Sequence, residues 1–256
     1  MDLPRGYRLR FYEEIDSTNA EAHRLMSAGE GGGLWVWAAL QGAGRGRAGR
    51  SWASPAGNLY ASLAIRPRVP LMTALQLSLL AGVAAHDALS SLAAGAGATA
   101  AALDLRLKWP NDVLLGAAKL GGILLESASG PANEPPLIVI GIGLNLVHAP
   151  VDLGRPAASL ADAGIAVTPA QAFAALAWST AEWIARWEEG RGFPAIRDAW
   201  LDRAQPIGGP ISVHLPGNHL SGTFLGIDEA GALRLSLASG EERRITAGDV
   251  AIGAGA

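Results

Sequence analysis

Residues 137–143 read LIVIGIG, seven apolar positions without a break. A strand with one wet face alternates apolar with polar side chains, so a continuous run fits a strand covered on both faces, near the centre of a sheet. Neighbouring segments fit that setting: RLRFYEE (8–14), LWVWAALQ (34–41), NLYASLAI (58–65), DLRLKW (104–109), DVLL (112–115) and KLGGILLES (119–127) read as further strands bounded by turn residues. Helical spacing appears at 17–29, 73–92, 169–189 and 192–204, with Thr18 and Glu21 at capping-box spacing and Gly29 as a stop. The low-complexity AAGAGATAA after residue 92 reads as a loop. Trp178, Trp183, Trp187 and Trp200 are expected to be packing residues.

Beyond Pro206 the texture changes to short alternating runs broken by glycine, from ISVHL to ITAGDV. This reads as a small antiparallel β unit of about five strands. The expected division is therefore 1–205 and 206–256, with no internal repeat.

Charge excludes some roles. With 20 Lys and Arg against 23 Asp and Glu, the net charge of −3 supplies no overall attraction for nucleic acid or anionic lipid, so a cationic function must be local. The absence of cysteine rules out disulfides, thiolate metal sites and a cysteine nucleophile, and fits a reducing compartment. MDLPRGYRLRFYEE has no signal-like apolar run, and no stretch approaches about 18 uninterrupted apolar residues, so a cytoplasmic, non-membrane protein is expected.

The local cationic feature is GAGRGRAGRSW (42–52). Its G-x-G-x-x-G spacing is no dinucleotide fingerprint, because turn-rich residues rather than a helix follow the third glycine and no acid stands in 64–70. Two readings remain: a solvated basic loop, or an anion clamp. Three guanidiniums in six residues repel one another without an anion between them, and ordering about ten Gly-rich residues costs on the order of 10 kcal/mol, which a polyphosphate could offset. KWPNDVLLGAAKLGGILLE (108–126) reads either as a plain hairpin with exposed lysines or as strands that bring Asp112 and Lys119 to one end of the sheet. In the second case Gly121 and Gly122 leave backbone bare for a flat ligand.

These motifs carry a resemblance. Asp16-Ser17-Thr18-Asn19, QGAGRGRAGRSWASPAGNLYASL, KWPNDVLL with KLGGILLE, and GIGLN follow one another from about residue 8 to 146 as in biotin protein ligases, and the tail with SGTFLGID and ITAGDV resembles that family's small C-terminal barrel. The resemblance implies an α+β fold: a mixed sheet with helices packed on it, like class II synthetases, as catalytic domain 1–205, and an SH3-like barrel at 206–256. It implies an enzyme that joins biotin and MgATP into biotinyl-5′-AMP and passes the biotinyl group to a lysine of a biotin carboxyl carrier domain.

By the same resemblance Lys119, Arg47 and Asp112 are the catalytic residues. Ser17, Thr18, Asn19, Gln41, Gly44, Arg45, Arg47, Lys119, Gly121 and Gly122 would hold biotin, and Arg45, Arg47, Arg50, Trp52, Lys108, Asn111 and Asn145 would hold ATP. Asp112 would orient or deprotonate the incoming amine, or hold Mg²⁺, and Trp52 would stack on adenine once the loop closes over a water-labile anhydride. Ala48 stands where relatives commonly place a second basic residue, which weakens any role for an arginine doublet. Repressors of this family carry an N-terminal helix-turn-helix domain; only about seven residues precede the first strand here, so no DNA-binding role is expected. The resemblance leaves homodimerisation open. The alternatives are a lipoate or octanoate ligase or transferase of the same architecture, disfavoured by GRGRAGRSW and KWPND, and a non-catalytic nucleic-acid module built on Arg45, Arg47, Arg50 and Trp52, disfavoured by the acidic net charge.

Overall fold

A computed structural model describes residues 2–128, 135–151 and 156–252. The first sheet is formed by β1 (Arg8–Ile15), β2 (Leu34–Gln41), β3 (Leu59–Ile65), β4 (Leu105–Lys108), β5 (Asp112–Leu115), β6 (Ala118–Ala128) and β7 (Leu137–Leu144). Its order is β1-β2-β3-β7-β6-β5-β4. The β1 and β2 pair is parallel and the rest are antiparallel, so the sheet is mixed. The all-apolar run is the central strand, as its composition requires.

Alternation along β7 sorts the two faces. Ile138, Ile140 and Ile142 point into the main core, where α3 (Leu77–Gly95), α4 (Pro169–Trp187) and α5 (Phe193–Arg203) cover the sheet. Leu137 and Val139 point the other way, onto Ala22 and Met26 of α1 (Thr18–Ser27). Positions 141 and 143 continue this second face as glycines. At these positions β7 thus carries no side chains on this face, beside the N-terminal end of α1, and that gap makes the site.

Local details depart from the sequence reading. Ser17, not Thr18, caps α1, accepting from Ala20 N at 3.4 Å, while Glu21 turns to Tyr12 and Arg24. The Thr18 capping box does not form because Thr18 is already helical and its side chain is committed to Gln41. The segment expected at 73–92 is α2 (Leu71–Ala74) and then α3, which runs on through Ala93 and Ala94 to Gly95, alanine being the best helix former. The stretch Leu71–Gly95 is long and apolar enough to cross a membrane by composition, with 67% of its most apolar window buried inside the protein. Trp183, Trp187 and Trp200 are buried as expected, but Trp178 is 46% exposed.

Residues 210–252 form the second sheet: β8 (Pro210–Leu215), β9 (Asn218–Ile227), β10 (Leu233–Leu237), β11 (Glu242–Ile245) and β12 (Asp249–Ile252), all antiparallel in the order β11-β10-β9-β8-β12. No ladder joins β11 to β12 among the described residues, so the barrel is not closed by hydrogen bonds. This sheet packs on the first unit: Trp109 Nε1 donates to Gly231 O at 3.0 Å, Arg197 Nε donates to Ile227 O at 3.0 Å, and Phe224, Leu233 and Leu235 join the main core.

Candidate functional site

The floor of the site follows from register. Tyr60, Gly143 and Gly122 lie in one row across β3, β7 and β6, and Ser62, Gly141 and Leu124 in the next. A Cβ on Gly143 would come within 2.7 Å of the Trp52 ring, and one on Gly122 within 3.1 Å of Lys119 and Trp52. Gly141 lies under the amide of Asn19. Above this floor is an open cleft. It is lined by Ser17, Thr18, Asn19, Gln41, Arg45, Arg47, Arg50, Trp52, Lys108, Asn111, Asp112, Lys119 and Gly122 among the residues singled out from sequence.

Three of those residues lie elsewhere. Gly121 faces the opposite side of β6, against Leu144, because side chains alternate along a strand. Asn145 is buried behind the cleft, its Nδ2 donating to Ala158 O at 3.1 Å and to Lys119 O at 3.4 Å, so it buttresses the backbone that carries Lys119. Gly44 is buried at the base of the arginine loop, where any Cβ would collide with Ser54 and the Trp52 carbonyl.

The charged centre is a lysine, carboxylate, lysine row. Lys108 stands directly opposite Asp112 in the β4 and β5 ladder, and a register shift between Val113 and Leu114 brings Lys119 to the same carboxylate. Lys108 Nζ lies 2.9 Å from Asp112 Oδ2, and Lys119 Nζ donates to Asp112 Oδ1. Burial on its own would raise the Asp112 carboxyl, but the ammoniums of Lys119 and Lys108 override it and hold the group below its ordinary value. One carboxylate against two ammoniums leaves an excess positive charge facing the cleft. Among the described residues there is no group of three or more His, Asp or Glu side chains able to hold a metal.

The arginine loop lies over the cleft, and the chain supplies its own anion. Arg47 donates to Asn111 Oδ1 at 3.0 Å and to Gly248 O at 3.2 Å, and stands 3.6 Å from Asp249. Arg50 pairs with Asp249 at 3.0 Å. Arg45 is over half exposed and only 3.9 Å from Glu126. The expectation that the guanidiniums gather only around a ligand is therefore corrected: Asp249 of β12 in the second sheet pairs with two of them. Trp52 lies on the glycine floor with Lys119 Nζ 5.3 Å from its ring centroid, and its Nε1 is buried without a hydrogen-bond partner.

Short polar side chains form a continuous network at the inner end. Thr18 donates through both N and Oγ1 to Gln41 Oε1 (2.8 and 3.0 Å), and Gln41 Nε2 donates to Ser54 Oγ at 2.9 Å. Ser62 Oγ lies 2.7 Å from Thr18 Oγ1 and 2.6 Å from Asn19 Oδ1, and Asn19 Nδ2 donates to Glu126 at 2.7 Å. Ser62 and Glu126 escaped the sequence reading, as did Gly141, Gly143 and Asp249. A lone serine at the centre of NLYASLAI was the available signal for Ser62, since a fully buried hydroxyl needs partners. The i, i+2 glycines of GIG marked a bare strip on one face of β7. Nothing local marked Asp249, which reaches the loop only through packing of the second sheet.

Residues 11–145 match the Biotin/lipoate A/B protein ligase family, and residues 207–253 match the Biotin protein ligase C terminal domain. The chain is 44% identical over 234 residues to the Biotin--[acetyl-CoA-carboxylase] ligase of Paracoccus denitrificans, covering 89% of this chain and 93% of that one. It is 36% identical over 251 residues to the ligase of the same name from Mycobacterium tuberculosis, covering 96% and 89%. The fold is similar to that of a biotin protein ligase from Aquifex aeolicus solved in complex with biotin and ATP, with a TM-score of 0.79 at 24% identity over 96% of this chain and 99% of the other.

Proposed function

The chain belongs to the biotin protein ligase family, and from that premise we propose how its residues divide the work of the two half-reactions. It is an ATP-dependent ligase that activates biotin as biotinyl-5′-AMP and transfers it to a lysine of a carboxylase carrier. In the first step a biotin carboxylate oxygen bonds to the α-phosphorus of ATP and pyrophosphate leaves. Two anions must approach, so the site has to place positive charge where both meet. Lys119 and Arg47 take that role, with Lys108 and Arg50 on the phosphate side. The observation that carries this assignment is the buried Asp112, held between Lys108 and Lys119 directly beside the glycine floor.

The same row favours one of the roles open to Asp112. A carboxyl held below its ordinary value is a poor base toward an ammonium, so Asp112 positions Lys119 rather than taking the proton of the acceptor amine. Both of its oxygens are already engaged by lysines. Mg²⁺ therefore does not fit as a protein-held ion here and belongs with the nucleotide phosphates; no step is routed through it.

Biotin's ureido edge carries both donors and an acceptor, which suits Ser17, Thr18, Asn19 and Gln41, with Ser62 fixing their orientation. Its apolar ring suits the face of Trp52, which rests on Gly122 and Gly143 and whose Nε1 has no hydrogen-bond partner. Arg45 is the outermost contact. Residues 1–205 act as the catalytic domain and 206–256 as the domain whose β12 anchors the arginine loop. We place the enzyme in the cytoplasm, with the carrier domain as its protein substrate. Incubation with ATP and either biotin or lipoate tests the reading: pyrophosphate release is expected with biotin, and release with lipoate alone would overturn it.

A further inference from the structure

Glu126 stands just outside the polar end of the cleft. Side chains at 122, 124 and 126 of β6 share one face, so it lies two rows out from the glycine floor. Its Oε2 accepts from Asn19 Nδ2 at 2.7 Å. Asn19 in turn begins a row of four oxygens, Asn19 Oδ1, Ser62 Oγ, Thr18 Oγ1 and Gln41 Oε1, at successive spacings of 2.6, 2.7 and 3.0 Å. Asn19, Ser62 and Thr18 are buried, so bulk water has little part in it. Each spacing calls for one hydrogen between two oxygens, and only the Ser62 and Thr18 hydroxyls carry one.

An amide turned end for end would supply a third hydrogen, but both amides are fixed. Gln41 Oε1 takes the Thr18 N–H at 2.8 Å, and Gln41 Nε2 donates to Ser54 Oγ, whose own hydrogen goes to the Trp52 carbonyl. Turning Gln41 would set donor against donor at one end and acceptor against acceptor at the other. Turning Asn19 would place its oxygen 2.7 Å from the Glu126 carboxylate and 3.4 Å from Leu124 O. Three contacts therefore share two hydrogens.

We propose that Glu126 is a positioning residue that sets substrate specificity: by holding the Asn19 oxygen inward, it keeps the buried row one hydrogen short and so selects a substrate edge that presents N–H. The inference rests on the ligase reading, which brings the ureido edge of biotin to this end of the cleft. An N–H donated to Gln41 Oε1 lets Thr18 turn its hydrogen to Ser62 and Ser62 donate to Asn19, so that every contact in the row is met. An acyl head without N–H, such as the dithiolane of lipoate, leaves the shortage in place.

Glu126→Gln keeps the shape and removes the charge, so the Asn19 amide is free to turn and complete the row without a ligand. Calorimetry with biotin and with desthiobiotin, which keeps the ureido ring and lacks the sulfur, is combined with pyrophosphate-release kinetics and thermal unfolding of the ligand-free protein. The expected result is a Kd for both ligands and a KM for biotin raised about tenfold, the scale of one lost hydrogen bond, with kcat and the KM for ATP within about twofold and an unfolding temperature equal or higher. Glu126→Asp keeps the charge and should bind biotin more tightly than Glu126→Gln. Glu21→Gln removes a charge that faces Tyr12 and Arg24 instead, and should leave both Kd values within about twofold. A biotin Kd within about twofold in Glu126→Gln overturns the proposal, as does a lowered unfolding temperature, a loss confined to biotin, or weaker binding by Glu126→Asp than by Glu126→Gln. Glu126 also lies 3.9 Å from the exposed Arg45, and a difference that vanishes in about 1 M salt would trace the effect to that pair and overturn the proposal too. Lack of biotin binding and of biotin-dependent pyrophosphate release by the unmodified chain would instead remove the ligase reading, and this inference with it.

Discussion

Replacing Asp249 by asparagine tests whether the second sheet holds the arginine loop over the cleft. Asp249 meets Arg50 at 3.0 Å and Arg47 at 3.6 Å, with the aspartate half exposed and the two arginines 46% and 27% exposed. Ion pairs this wet contribute about 0.2–1 kcal/mol each, so two of them bias the loop by roughly 0.5–2 kcal/mol. The Arg47 bond to Gly248 O and the buried Trp52 ring remain in the variant, so the loop is loosened rather than lost. The expected outcome is escape of preformed biotinyl-5′-AMP about two- to thirtyfold faster, read by trapping labelled intermediate released from the enzyme in a chase with excess unlabelled biotin and ATP. Because the pairs are solvent-exposed, raising the salt from about 0.05 to 1 M shortens the Debye length to about 3 Å and should shrink the difference between variant and unmodified chain. Escape rates equal within experimental error at low salt would refute the role given to β12, and a difference that survives 1 M salt would refute its electrostatic basis.

Three other substitutions address the rest of the site. Lys119→Ala should cut pyrophosphate release about a thousandfold, the scale for losing one preorganised charge at a developing anion, while Lys108 still partners the buried Asp112 and thermal unfolding shows a folded protein. Gly143→Ala should weaken biotin binding in calorimetry tenfold or more by displacing the Trp52 ring, whereas Gly121→Ala, crowding Leu144 on the other face, should lower the melting temperature instead; the reverse pattern would refute the assignment of faces. Asp112 has its folded-state value depressed, so its stabilising charge is fully present above the unfolded carboxyl value of about 3.9 and is lost as pH falls through the folded value. Asp112→Asn should therefore flatten the acid limb of a denaturant-midpoint profile below about pH 4, and cost about 3–5 kcal/mol near neutrality by removing the carboxylate that two part-buried ammoniums share.

What could be read from sequence tracks how local its cause is. Period two and period 3.6 placed the strands and long helices, and the run LIVIGIG located the centre of the sheet. The same period two held the answer for the glycines: consecutive strand residues cannot share a face, so Gly121 and Gly122 could not both form the floor. The true partners of Gly122 are Gly143 and Gly141 on the next strand, which only the register reveals. The Thr18 capping box failed for a similar reason, since Ser17 and Thr18 are both competent caps and the choice was made by Gln41, more than twenty residues away. Trp178 shows that aromatic content alone does not fix burial.

Ala48 connects these points to the function. It adopts a left-handed conformation with φ 53° and is exposed, followed by Gly49 at φ 73°. These two residues turn the loop so that Arg47 and Arg50, on either side, both reach Asp249. A basic residue at 48 would project from the outside of this turn, and the anion nearest the loop is already shared by two guanidiniums. On the reading proposed above, the clamp would depend on two arginines set by backbone geometry rather than on a doublet. A phosphate arriving in the cleft has to compete with one half-exposed carboxylate for them. An exposed pair of that kind is weak enough for a polyanion to displace and strong enough to keep three nearby positive charges from scattering the loop, which is the balance that a cover over a water-labile intermediate requires.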